Sequence, residues 1–103
     1  MPTITQFPSF MPSYKKLEKN KGNAFSIEMY HHDDNSEPTI FIAEIPRDIR
    51  LDKLDEHGLI IEIHLKNSCL VFTERNHFTN ISNETVVFSS KHDDETYWLI
   101  DLL

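Results

Sequence analysis

With 103 residues, 39% of them hydrophobic and 11% aromatic, the chain can bury one core, which excludes wholesale disorder. Its formal charge of −7 divides unevenly: residues 1–21 set four lysines against Glu18, a balance of +3, while residues 22–103 carry sixteen acids against six Lys or Arg, a balance of −10. Such an acidic surface repels nucleic-acid phosphates and anionic membranes and speeds encounter with basic proteins, so neither nucleic acid nor membrane is an expected partner.

Pro2, Pro8 and Pro12, interleaved with Phe7, Phe10 and Met11, keep residues 1–12 from helix and predict an extended strap that packs onto the body. Ser13 is the expected N-cap of a short helix, with Tyr14 and Leu17 on one face and Gly22 as the stop. Period-two alternation then predicts a strand from Ala24 to Tyr30 with Phe25, Ile27 and Met29 on its buried face. A polar loop, His31 to Pro38, leads to Thr39–Ile45, apolar on both faces and therefore expected as a central strand covered on two sides. Asp52 to Gly58 reads as one helical turn.

Leu59–Lys66 and Cys69–Arg75 predict a hairpin closed by Asn67-Ser68, with Leu65 facing Leu70, Ile63 facing Phe72 and Glu62 facing Thr73. Residues 76–84 read as a polar loop, Thr85–Ser90 as a strand, Lys91–Glu95 as a tight loop and Thr96–Leu102 as the last strand. Six strands with short connections predict a mainly β fold: a single antiparallel sheet curled into a sandwich or half-barrel, with one short N-terminal helix. One domain is expected over 1–103, with the strap and helix in 1–23 and the β domain in 24–103.

The chemistry-bearing pattern is a doubled His-Asp-Asp. His32-Asp33-Asp34 precedes the run Thr39-Ile40-Phe41-Ile42-Ala43-Glu44-Ile45, and His92-Asp93-Asp94 precedes Thr96-Tyr97-Trp98-Leu99-Ile100-Asp101-Leu102, whose residues match type for type. Two acidic loops, each feeding a strand, can present charge to a basic partner, hold a metal through His32, Asp34, His92 and Asp94, or simply keep a turn soluble. The spacing matches no metal signature and no thiolate joins it, so the charge reading is favoured and no cofactor is expected. The expected contact surface is Asp33, Asp34 and Glu37 with Asp93, Asp94 and Glu95. Tyr30 and Tyr97 are its aromatic anchors, while Trp98 alternates onto the core face.

The six histidines raise acid–base catalysis. His77-Phe78-Thr79 supplies only half of a paired His-x-Thr motif, and no nucleophile elbow or phosphate-cradling glycine loop is present, so the chain is read as a non-enzyme. Cys69, the single cysteine, excludes an internal disulfide and in the run Cys69-Leu70-Val71-Phe72 is expected to be buried and inert. No segment approaches the roughly 20 apolar residues of a membrane span, and Met1-Pro2-Thr3-Ile4 does not open a signal peptide, so a cytoplasmic location is expected.

The runs 41–46, 59–63 and 70–75 resemble the small heat-shock core domain at the level of general β-sandwich patterning. In size, acidity and lack of catalytic motif, the whole chain is similar to bacterial toxin-immunity proteins, including those of contact-dependent growth inhibition systems. That resemblance implies a cytoplasmic inhibitor of a basic toxin, a nuclease above all, whose active site is occluded by carboxylates standing in for substrate phosphates. The alternative is a small metal- or histidine-dependent enzyme using the His-Asp-Asp loops.

Overall fold

The computed structural model describes residues 10–31, 37–93 and 95–102. The strap expected over residues 1–12 therefore lies mostly outside the described residues. The fold is mainly β and antiparallel with one short helix, as expected. Among the described residues, eight strands are divided between two hydrogen-bonded sheets that do not close into a barrel.

Helix α1 (Met11–Lys19) starts earlier than Ser13 because Pro12 is tolerated in a first turn, where its missing N–H costs no helical bond. Phe10 occupies the N-cap without a side-chain bond. Ser13 instead faces inward, its hydroxyl 2.8 Å from that of Thr79. The helix ends at Asn20 rather than Gly22: the Asn20 backbone N–H reaches the Leu17 carbonyl, and its side-chain amide donates to the Lys16 carbonyl at 2.8 Å. Lys16 and Lys19 stand in the last turn, where positive charge suits the helix dipole.

The larger sheet runs β2 (Ile40–Glu44), β1 (Phe25–His31), β8 (Thr96–Leu102), β7 (Thr85–Ser90), β6 (His77–Ser82). The smaller runs β3 (Asp48–Leu54), β4 (Gly58–His64), β5 (Cys69–Thr73). Period-two alternation sends Phe25, Ile27, Val86, Phe88, Ile100 and Leu102 from the first sheet, and Ile49, Ile61, Ile63 and Phe72 from the second, into one core. At its centre the Phe72 and Phe88 rings stack 4.1 Å apart across the two sheets, with Trp98 edge-on to Phe72 and Phe10 edge-on to Phe88. The expected core role of Trp98 holds. Helix α1 packs against the edge strands β3 and β6 and inserts Phe10 and Leu17 into the same core.

One carboxylate fastens this arrangement. Glu74, in the β5–β6 turn, accepts the Phe10 N–H through Oε2 and the Leu59 N–H through Oε1, both at 2.9 Å. It lies against Gly58, which has φ +72° and whose missing Cβ would sit 2.6 Å from Glu74 Oε1. Gly58 is thus required twice, for its left-handed backbone and for the space.

Several expectations are corrected. Thr39–Ile45 supplies an edge strand, and it is β1 that is flanked on both sides; Phe41 is 60% and Ile45 57% exposed. Residues 48–54 form β3, because Ile49 and Leu51 alternate toward the core and cross-strand pairing with β4 outweighs local capping at Asp52. Residues 77–82 form β6, whose inward Thr79 is satisfied by donating to the Val87 carbonyl at 3.0 Å; Asn83, at φ 55°, then makes the turn to β7. The β4–β5 hairpin pairs Ile63 with Leu70, Ile61 with Phe72 and Glu62 with Val71, two residues from the expected register. Its turn is centred on Lys66-Asn67, closed by the Leu65 N–H on the Ser68 carbonyl, and a shift of two leaves every side chain on its own face. Cys69, on edge strand β5, is exposed rather than buried.

Candidate functional site

Strand β1 ends where β8 begins. His31 is the register partner of Thr96, and Tyr30 of Tyr97. The described flanks of both acidic loops therefore come to the same end of the larger sheet, side by side. Asp33, Asp34 and Asp94 of the expected contact surface, and His32 of the alternative metal set, lie outside the described residues.

Asp93 turns inward to build the loop. Its Oδ1 accepts the Glu95 N–H at 2.8 Å and its Oδ2 accepts the Thr96 hydroxyl at 2.6 Å. With that proton committed, the Thr96 oxygen is left to accept from His31 Nδ1, 2.6 Å away. His92 Nε2 lies 3.0 Å from Asn76 Oδ1, which ties the second loop to the β5–β6 turn. These two groups thus contribute to the scaffold. Glu37 and Glu95 are exposed beside it.

On the outer face next to the loops, the Tyr30 and Tyr97 rings stack with centroids 5.1 Å apart and planes 14° from parallel. Partial burial, with the negative charge of Glu28, holds the Tyr30 hydroxyl above its ordinary pKa of 10.0. The register sets Glu28 beside Leu99 and Phe41 on this face, and Asp101 accepts the Thr85 hydroxyl at 2.5 Å one row further on. Aromatic area and carboxylates are therefore interleaved across the outside of the sheet, with Phe78, 47% exposed, at the β6 edge. The two expected anchors are brought together. Glu28 and Asp101 are not among the expected contact residues, yet alternation with Tyr30 and Tyr97 along the same strands places them on this face.

The matched runs do not superpose as the sequence suggests. Through β1, Ile27 pairs with both Ile42 and Ile100, so Ile42 stands opposite Ile100, not Leu99. This one-residue offset turns Phe41 outward and Trp98 inward.

Two further clusters are present, the first reaching the second loop through Lys91. A cleft of about 310 Å³ is lined by Glu56, His57, Gly58, Glu74, Arg75 and Lys91, and His57 Nδ1 is buried there without a hydrogen-bond partner among the described residues. The Lys91 ammonium donates to the Glu74 carbonyl and lies 5.1 Å from the Phe78 ring centroid. On the outer face of the smaller sheet, donor atoms of Glu62, His64 and Cys69 all lie within 4.8 Å of one another. His64 Nε2 is 2.8 Å from Glu62 Oε1 and 3.8 Å from Cys69 Sγ. Partial burial first, and the Glu62 charge second, raise the Cys69 thiol above its ordinary pKa of 9.0. The alternation of Glu62 with His64 was visible in the sequence; the exposure of Cys69 opposite His64 was not.

Among the described residues, no helix is long and apolar enough to cross a membrane. Comparison with protein-family models, curated proteins and solved structures finds no match to the chain.

Proposed function

We propose that this protein is a small acidic binding module, an immunity-type inhibitor that neutralises a basic toxin, with a nuclease as the favoured target, in the cytoplasm. One observation carries the reading: the stacked Tyr30–Tyr97 pair lies beside the meeting point of the two acidic loop flanks, with Glu28 and Asp101 on the same face. Stacked tyrosines offer rigid contact area with polar tips, and surrounding carboxylates steer and orient a basic partner. Against a nuclease, carboxylates at such a surface would occupy the positions of substrate phosphates.

The test begins with capture of the partner from the native host on immobilised full-length protein, followed by an assay of whether the captured protein degrades nucleic acid and whether added protein suppresses that activity. Association is then compared with a variant in which Asp33, Asp34, Glu37, Asp94 and Glu95 become amides while Asp93, which holds the turn, is kept. The expected result is slower association at low ionic strength and a flatter salt dependence, with dissociation changed less. Unchanged association kinetics would remove the loops from the interface, and a captured protein that is neither basic nor inhibited would overturn the reading.

A further inference from the structure

The outer face of the smaller sheet carries three metal-ligating groups of three chemical types. Glu62 and His64 are two apart on β4, so the pleat points both the same way, and Cys69 is the register partner of His64 on β5. The face is thus fixed by backbone pairing rather than by a loop. Zinc bonds of about 2.0–2.3 Å at tetrahedral angles place donor atoms roughly 3–4 Å apart. His64 Nε2 lies 3.8 Å from the Cys69 sulfur, already within that range, and 2.8 Å from the Glu62 oxygen, and with all three donor atoms within 4.8 Å of one another small side-chain rotations bring the set to tetrahedral spacing.

The same atoms could be read as a nucleophilic Cys–His–acid relay, but the geometry opposes it. A relay needs the acid on one imidazole nitrogen and the thiol on the other. Here both approach Nε2. Convergence of an oxygen, a nitrogen and a sulfur on one point is what chelation requires.

We propose that Glu62, His64 and Cys69 form a binding site for a thiophilic divalent transition-metal ion of the zinc type, with the fourth position open to water. Thiolate with imidazole selects against magnesium and calcium, which prefer all-oxygen sites. The metal replaces the thiol proton, which is released to solvent as the sulfur–metal bond forms. The neighbouring cation Arg50, cross-strand from Glu62, is held by Asp48 at 3.0 Å, which partly offsets its charge near the site.

Cobalt(II) titration of the reduced full-length protein tests the site. The expected outcome is one equivalent bound, with a thiolate-to-cobalt charge-transfer band and visible bands of tetrahedral intensity, all displaced by zinc. Cys69→Ser should abolish the charge-transfer band. His64→Gln and Glu62→Gln should each weaken affinity by at least the roughly 10–100-fold that loss of an outer-shell partner alone produces. His92→Gln should leave the spectrum unchanged, which separates this site from the His-Asp-Asp loops. A zinc-induced rise in melting temperature, lost in the three ligand variants, gives an independent readout. Absence of the band at large molar excess of cobalt overturns the proposal. So does wild-type affinity in both His64→Gln and Glu62→Gln, which would reduce the binding to a lone thiol.

Discussion

The two outer faces of the sandwich are pleated alike and built from different materials. The larger sheet presents the rows Tyr30–Tyr97–Ser89–Phe78 and Phe41–Glu28–Leu99–Val87. The smaller presents Asp48–His64–Cys69 and Arg50–Glu62–Val71. The first combines broad contact area with scattered charge, which suits a protein surface; the second clusters small donor atoms, which suits an ion. The contrast teaches that the inward half of each strand determines the fold, while the outward half is free to carry unrelated chemistry. Phe72, Phe88 and Trp98 join the two faces beneath.

If that seam serves both faces, damaging it should affect both at once. Phe72→Ala deletes the ring stacked on Phe88 and should destabilise the protein by about 3–5 kcal/mol. Urea unfolding followed by Trp98 fluorescence and by far-ultraviolet circular dichroism should give one shared transition at lower denaturant, whereas two separate transitions would show that the faces rest on different units. A smaller effect isolates one face. Tyr97→Ala removes the stack with Tyr30 and should cost about 0.5–1.5 kcal/mol beyond lost area. Cobalt affinity at Cys69 should stay unchanged in the same variant, since sites without shared partners act independently. A spectrum altered by Tyr97→Ala would contradict that independence.

The smallest effect concerns pH. Burial, chiefly, lowers the pKa of His77 from 6.5, with the positive charge of neighbouring Lys91 adding to it. The ring stands edge-on to Phe72, and its Nδ1 accepts the Thr73 N–H at 3.3 Å. The folded state therefore holds this proton less tightly than the unfolded state, so stability is full above pH 6.5 and declines as the pH falls below it. His77→Gln should flatten the slope of unfolding free energy below pH 6.5, and an unchanged slope would remove His77 as a contributor.

The last two strands were legible to the residue because Val86, Phe88, Ile100 and Leu102 alternate cleanly under turns rich in Asp and Asn. Strand β3 was not, since Asp48, Arg50 and Asp52 outweigh Ile49 and Leu51 in local pattern. Strand β6 has an inward Thr79 whose hydroxyl is satisfied by partners on other elements, Val87 of the paired strand and Ser13 of the helix. The register of β4 and β5 escaped for another reason: a two-residue slip preserves both faces, so only the turn at Lys66-Asn67 decides it. The tyrosine pair could be nominated from sequence, but its stacking needed the β1–β8 pairing, which joins His31 to Thr96 across 65 positions. The Cys69 site needed both that hairpin register and the edge position of β5.

The Glu74 carboxylate has one more consequence. It holds the Phe10 N–H while Ser13 meets Thr79 and Leu17 fills the core, so residues 10–19 are held the way a peptide is held in a cleft. The slot lies between β3 and β6, and residues 20–24 are the tether that keeps the occupant at high effective concentration. In its own core, the chain is both receptor and ligand.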